Sequence, residues 1–147
     1  MPIATRAEAR DEILLHFTIA WNLATPPVPL LLYDDKHRDL PDDAPFARIT
    51  IKHNISPQVT IGATVAQGGN GVRFRRFGIV TVQVFEISGD GMAGADVLVD
   101  LAMDAFEGEK TGLDRIEFRN ANAEEIGEDG PWFHTNVTCE FVYDRVK

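Results

Sequence analysis

The stretch TVQVFEISGDGMAGADVLVDLAMDAF, residues 81–106, decides the fold. It changes period in the middle. Val80, Val82 and Val84 alternate with Thr81 and Gln83, the two-residue repeat of a strand with one apolar face. After the glycine turn the repeat becomes helical over about Met92 to Phe106, with Leu98, Leu101, Ala102 and Ala105 turned inward. Gly108 follows where a left-handed cap would stop the helix. The turn also carries Gly89-x-Gly91-x-x-Gly94, the spacing of a dinucleotide-binding fingerprint between a strand and a helix. The nucleotide version needs a short buried strand and a helix start that faces a pyrophosphate. Here the strand is long and half polar, Asp90 would repel phosphate, and only one strand–helix–strand unit is available. The residues favour a tight turn that launches a helix, with Gly94 permitting close packing.

Outward from this stretch, Thr5 and Glu8 form a capping box, in which each side chain satisfies a free N–H of a helix start. Ile13, Phe17, Ala20, Trp21 and Ala24 then recur at helical spacing, predicting a helix over about Arg6 to Leu23, ended by Pro26, Pro27 and Pro29. Val28–Tyr33 reads as a short buried strand. FARITIKHNI alternates, with Ala47, Ile49 and Ile51 on one face and Arg48, Thr50 and Lys52 on the other. Residues 57–63 predict a further extended piece, and GGNG, 68–71, a loop tip. Residues 73–87 carry the longest strand signal. IEFRNANAEEI, 116–126, predicts a strand, GEDGPW a turn, and the end a long strand with Phe133, Thr135, Val137, Cys139, Phe141 and Tyr143 on one face. The order α, several β, α, ββ predicts one α+β domain over 1–147. Its sheet is mixed or antiparallel, with the two main helices packed largely on one face.

A chain of 147 residues is one domain by default and large enough for a sizeable core. The net charge of −9 disfavours loose attraction to nucleic acid or to an anionic membrane. The single cysteine allows no intrachain disulfide and no cysteine metal site. The opening MPIATRAEARDEILLHF lacks the unbroken apolar core of a signal peptide, and no run approaches 18 apolar residues.

Candidate chemistry is sparse. Asp34, Asp35, His37, Asp39, Asp42 and Asp43 crowd one loop, but without the spacing, glycine or final glutamate of a calcium loop. A solvated acidic segment, open to a partner, is the better reading. None of His16, His37, His53 and His134 sits in a nucleophile or zinc pattern. Cys139, between Val137 and Phe141, reads as a buried thiol. No residue argues for an enzyme, and no cofactor or metal is expected. Arg73, Phe74, Arg75 and Arg76, beside the glycine tip, concentrate positive charge in an acidic protein. Arg73 and Arg75 share one face of an extended chain, Phe74 and Arg76 the other. They read as a solvated hairpin end or as a subunit contact, with guanidinium forks meeting carboxylates of a neighbour. Asp34 and Asp35, or Glu124 and Glu125 with Glu128 and Asp129, offer the complementary charge.

Taken together, TRAEARDEILLHFTIAW (5–21), RRFGIVTVQVFEISGDGMAGADVLVDLAMDAFEG (75–108) and GEDGPWFHTNVTCEFVYD (127–144) resemble the tail terminator proteins of long-tailed bacteriophages, the group that includes the minor tail protein U of lambda-like phages. The resemblance implies an α+β domain that assembles as a hexameric ring on the finished tail tube, ends tube polymerisation and presents the head-joining surface. It implies no catalytic residue and no cofactor. The implied partners are other copies of the chain, the tail tube protein and head–tail connector proteins, with no membrane and no specific nucleic acid, though DNA passes through the ring. Subunits would be made in the host cytoplasm and end in the virion, or in a related particle such as a gene transfer agent. A head-completion or head–tail adaptor protein is the nearest alternative. A small nucleotide-binding protein using the Gly89–Gly94 turn is the alternative from another class.

Overall fold

Alternation over residues 73–87 and 132–146 produces the two longest strands, and they pair with each other over their whole length. In the computed structural model, which describes residues 3–25, 27–32, 44–58, 72–89 and 92–146, the elements follow in the order α1 (Arg6–Trp21), β1 (Leu30–Leu31), β2 (Phe46–His53), β3 (Arg73–Ile87), α2 (Ala93–Asp104), β4 (Glu117–Asp129) and β5 (Trp132–Val146). The sheet order is β1-β2-β3-β5-β4. β1 is parallel to β2, and the other neighbours are antiparallel. The sheet is therefore mixed, and the domain is α+β as expected. β3, α2 and β4 form a split crossover, because β5 inserts between the two strands that the helix connects.

The register places Ala47, Ile49 and Ile51 beside Val84, Val82 and Val80, and these beside Thr135, Val137 and Cys139. All are buried beneath the helices. α1 contributes Ala9, Ile13, Phe17 and Trp21, and α2 contributes Ala95, Leu98 and Ala102. Phe17 stacks on Trp21 and on Phe106, with centroids at 5.7 and 5.3 Å. Each of these large side chains adds about 1.5–3 kcal/mol by leaving water. The opposite face carries its own aromatic group, in which Phe46 stacks on Phe85 at 4.6 Å and meets Trp132 edge-on.

The capping box is present: Glu8 accepts from the Thr5 N–H at 2.7 Å, and the Thr5 hydroxyl accepts from the Glu8 N–H at 3.2 Å. α1 stops at Trp21, two residues before the predicted end. Leu23 and Ala24 instead donate to the carbonyls three residues back, so the last turn tightens. α2 is shorter than predicted at both ends, and a further turn leads to Gly108 at φ 69°. β1 has two residues where six were expected; Pro27 and Pro29 supply no N–H, although the Pro29 carbonyl accepts from Ala47 at 2.9 Å. β4 runs to Asp129, leaving only Gly130 and Pro131 as the turn. Tyr33, residues 59–63 of the expected extended piece, and the GGNG tip lie outside the described residues, whereas Gln58 bridges Phe74.

Gly78 is required by packing. A Cβ there would stand 2.2 Å from Phe141 Cζ and 2.5 Å from the Lys52 carbonyl. Gly78→Ala is expected to destabilise the fold by about 2–3 kcal/mol, read as a lower urea midpoint, because neither the ring nor the neighbouring strand has room to retreat.

Candidate functional site

The strand alternation puts Arg73 and Arg75 on the sheet face away from the helices, and Phe74 and Arg76 on the helix face, as the sequence predicts. On the outer face, both arginines converge on one acid that sequence reading missed. Arg75 Nε and Nη2 donate to Asp144 Oδ1 and Oδ2 at 2.9 and 3.3 Å, and Arg73 Nη1 reaches Oδ2 at 3.4 Å. Asp144 is 0% exposed. The Arg75 guanidinium is held charged more firmly than usual, chiefly by its hydrogen bond to Asp144. The sequence signal was the pairing of residues 73–76 against the end of the chain, which puts Arg75 opposite Asp144. These two forks are thus engaged within the subunit, and reversing their charge would disturb the fold before it tested any interface.

The helix face of the same sheet end is different. Tyr143 is opposite Arg76, and His53 is opposite Gly78. The His53 ring stands edge-on to Phe141 and Tyr143, at 5.4 and 5.8 Å. Tyr143 Oη, Arg76 Nε and both ring nitrogens of His53 are buried without a hydrogen-bond partner. Burial pushes the pKa of His53 down to about 4, helped by the charges of Arg6, Arg10 and Arg76. Arg10 Nη1 donates to the Ile51 carbonyl at 3.1 Å.

Glu124 and Glu125 stand exposed on β4, whose only strand neighbour among the described residues is β5, although Lys110 bridges Glu117 at its start. β4 is also irregular: its register shifts between Arg119 and Asn122, where Asn120 adopts φ 55°, and again between Glu125 and Gly127. Glu128, grouped with them in sequence, instead accepts from Ser88 Oγ at 3.1 Å. Asp34 and Asp35 lie outside the described residues.

The most extensive candidate surface is apolar. α1 buries Ile13, Phe17 and Trp21 on one side and presents Leu15 and Ile19 on the other, continued by Leu23 in the turn that follows, at 62%, 62% and 74% exposure. These residues, four apart, form one stripe. A groove of about 540 Å³ runs between this stripe and Leu113, rimmed by Glu12, Asp104 and Glu109. A second groove of about 500 Å³ continues from Leu23 to exposed Val97 on α2. Sequence reading assigned only the inward side of α1. The missed signal was the density of apolar residues from 13 to 23, more than a one-sided helix needs.

The remaining candidates take structural places. His16 Nε2 lies 2.6 Å from the Ala105 carbonyl, and the ring packs on Phe118. His134 stacks on Phe85. Cys139 is buried, its thiol donating to the Arg119 carbonyl, and burial pushes its pKa up to about 11. Gly89 makes its turn at φ 97°, and a Cβ on Gly94 would lie 3.1 Å from the Glu86 carboxylate. That carboxylate sits beside the start of α2, where a nucleotide would need the opposite charge. Asp90 and Gly91 lie outside the described residues. Among the described residues no group of three His, Cys, Asp or Glu side chains gathers to hold a metal, and no helix is long and apolar enough to cross a membrane.

No family model and no curated protein matches the chain. Among solved structures, one superposes over 97% of this chain and 96% of its own, with a TM-score of 0.67 at 14% identity. At that identity the likeness is one of fold.

Two outcomes are expected. Arg75→Met, leaving the buried Asp144 with Arg73 alone, costs about 2 kcal/mol in urea unfolding. For His53, the unfolded ring takes a proton below about pH 6.5 while the folded ring resists until about pH 4. The unfolded state therefore binds more protons in this window, and stability falls as pH drops through it. Between pH 7 and 5 the wild type is expected to lose on the order of 1 kcal/mol more than His53→Gln, after allowance for solvent screening. Equal losses in urea melts would remove His53 as the cause.

Proposed function

We propose that this protein acts through its surfaces, as a ring-forming tail terminator. It caps a tail tube, ends tube polymerisation and offers the surface to which a head joins. The observation that carries this reading is the apolar stripe Leu15–Ile19–Leu23 with Leu113, left exposed by a helix whose other side already fills the core. Contiguous apolar surface of this kind marks interaction sites in soluble proteins. The sequence resemblance to tail terminators supplies the biological setting, and the α+β fold is compatible with it. The partners are further copies of the chain, the tail tube protein and head–tail connector proteins. Assembly takes place in the host cytoplasm and the product resides in the virion. The reading assigns no catalysis and no cofactor.

A ring of identical subunits needs a heterologous contact, in which one patch meets a different patch on the next copy. The stripe on α1 is one half. The edge of β4, with Glu124 and Glu125, is a second surface available to a neighbour or to the tube. Arg73 and Arg75, bound to Asp144, contribute to such a contact by holding the sheet end rigid rather than by offering free forks.

Leu15→Glu combined with Ile19→Glu tests the reading. Both side chains are exposed, so the melting temperature should change little. Each substitution removes apolar contact worth about 2 kcal/mol at an interface centre, roughly thirtyfold in Kd. Mass photometry and electron microscopy, with and without purified tail tubes, should show loss of rings and of capped tubes. Normal capping by the double variant would sink the proposal.

A further inference from the structure

The inner face at the Arg76 end of the sheet carries a second feature, independent of the assembly reading. Four buried polar atoms on three side chains have no partner among the described residues: Tyr143 Oη, Arg76 Nε, and Nδ1 and Nε2 of His53. Tyr143 is 0% exposed. Native interiors satisfy nearly all such groups, and each bond left unmade is costly. Arg76 Nε, Tyr143 Oη and one nitrogen of the neutral His53 are donors, against a single imidazole acceptor, and their occurrence side by side on three neighbouring strands marks a place prepared for something that accepts hydrogen bonds.

The charges identify the acceptor. Arg76 comes from β3, and Arg6 and Arg10, one helical turn apart, come from α1; all three act on His53. The one other charged side chain of β2 at this end, Lys52, lies on the opposite face of the strand. Glu8, the nearest acid of α1's first turn, is occupied by Thr5 and Arg115. Asp144, next to Tyr143, belongs to the other face and to Arg73 and Arg75. Three guanidiniums thus bear on His53, and among the described residues no carboxylate is paired with any of them. A single carboxylate would balance one charge and offer two oxygens. Free phosphate carries about 1.5–2 charges and a backbone phosphodiester one, and either can accept from tyrosine, arginine and histidine together.

We propose that the cluster floored by Tyr143, walled by His53 and Arg76 and rimmed by Arg6 and Arg10 binds a phosphate group, either free or carried on a nucleic-acid backbone. The buried donors are reached by movement of the rim. Arg6 is exposed and on a long side chain whose rotamers exchange within nanoseconds, and Arg10 is released by giving up its bond to the Ile51 carbonyl. Binding draws them inward over the anion.

The test uses the full chain. Inorganic phosphate is titrated at ionic strength held constant with chloride, while the ring resonances of His53 and Tyr143 are followed by NMR. Sodium acetate and a short single-stranded oligonucleotide provide separate arms. Saturable shifts with phosphate, and much weaker ones with acetate, are expected. Tyr143→Phe keeps the ring and removes one donor, and should weaken phosphate about fivefold to tenfold. Because that hydroxyl has no partner in the free protein, the variant should melt no lower than wild type in phosphate-free buffer, which separates lost binding from lost folding. Tighter binding of the oligonucleotide assigns the site to a nucleic-acid backbone, and phosphate binding alone assigns it to the free anion. Absence of saturable shifts, equal response to acetate, or undiminished phosphate binding by Tyr143→Phe overturns the proposal.

Discussion

Everything in this molecule is referred to one ladder, the antiparallel pairing of β3 with β5 along 15 residues each. Because side chains alternate, one register fixes two faces at once. It sets Val80, Val82 and Val84 against Cys139, Val137 and Thr135 beneath the helices. The same register sets Arg75 against Asp144 on the other face and Arg76 against Tyr143 on the first. A slip of one residue would bury Arg75 in the core and strand Asp144 without a cation. The ion pair on the outer face and the apolar ladder on the inner face therefore select the same alignment, each excluding the slips that the other would tolerate. Gly78 belongs to this system too: Phe141 crosses the strand where no side chain stands, and that crossing brings its ring against His53.

Charge is distributed against the average. The chain carries −9 overall, yet Arg6, Arg10, Arg73, Arg75, Arg76 and Arg145 gather at one end of the sheet. The two faces of that end treat their cations differently. The outer pair shares one buried acid, which makes it part of the scaffold. Among the described residues the inner group has no such acid, and its field is strong enough to help keep a neighbouring histidine neutral. Glu124 and Glu125 pair with Asn136 and Thr135, seven or eight residues along β5 from Tyr143, or roughly 24–27 Å at strand rise. Opposite charges that far apart on one rigid sheet cannot neutralise each other within a subunit.

Much of this was legible in the residues, and what was not has identifiable causes. The capping box at Thr5 and Glu8 and the alternation over 46–53, 73–87 and 132–143 depend on local chemistry, so spacing alone revealed them. Element ends were less legible. Trp21 ends α1 because the backbone tightens there, and the prolines expected to end it come later. The partner of Arg73 and Arg75 was hidden for another reason: Asp144 is about 70 residues away, and only the strand register joins them. The outward stripe of α1 was visible as composition but not as a surface, because nothing local says which apolar side of a helix the sheet will cover. The paired nature of Tyr143 and His53 likewise required the sheet order.

The form of the exposed stripe constrains how it can be covered in the proposed assembly. Leu15, Ile19 and Leu23 are flanked by the exposed acids Asp104 and Glu109, whereas Glu12, on the same rim, is already paired with Arg115. If two copies met stripe to stripe across a twofold axis, these acids would face their own equivalents, and the approach would bring like charges together as water left. A different surface of the next copy, or of a tube subunit, meets no such penalty. The acidic rim therefore biases the apolar stripe away from a closed dimer and towards a head-to-tail contact, the kind that either closes as a ring or extends without limit. Which of the two results is decided by the angle between successive copies. A template at the end of a tube supplies such an angle from outside, so a subunit with this surface does not need to encode ring closure in its own interface.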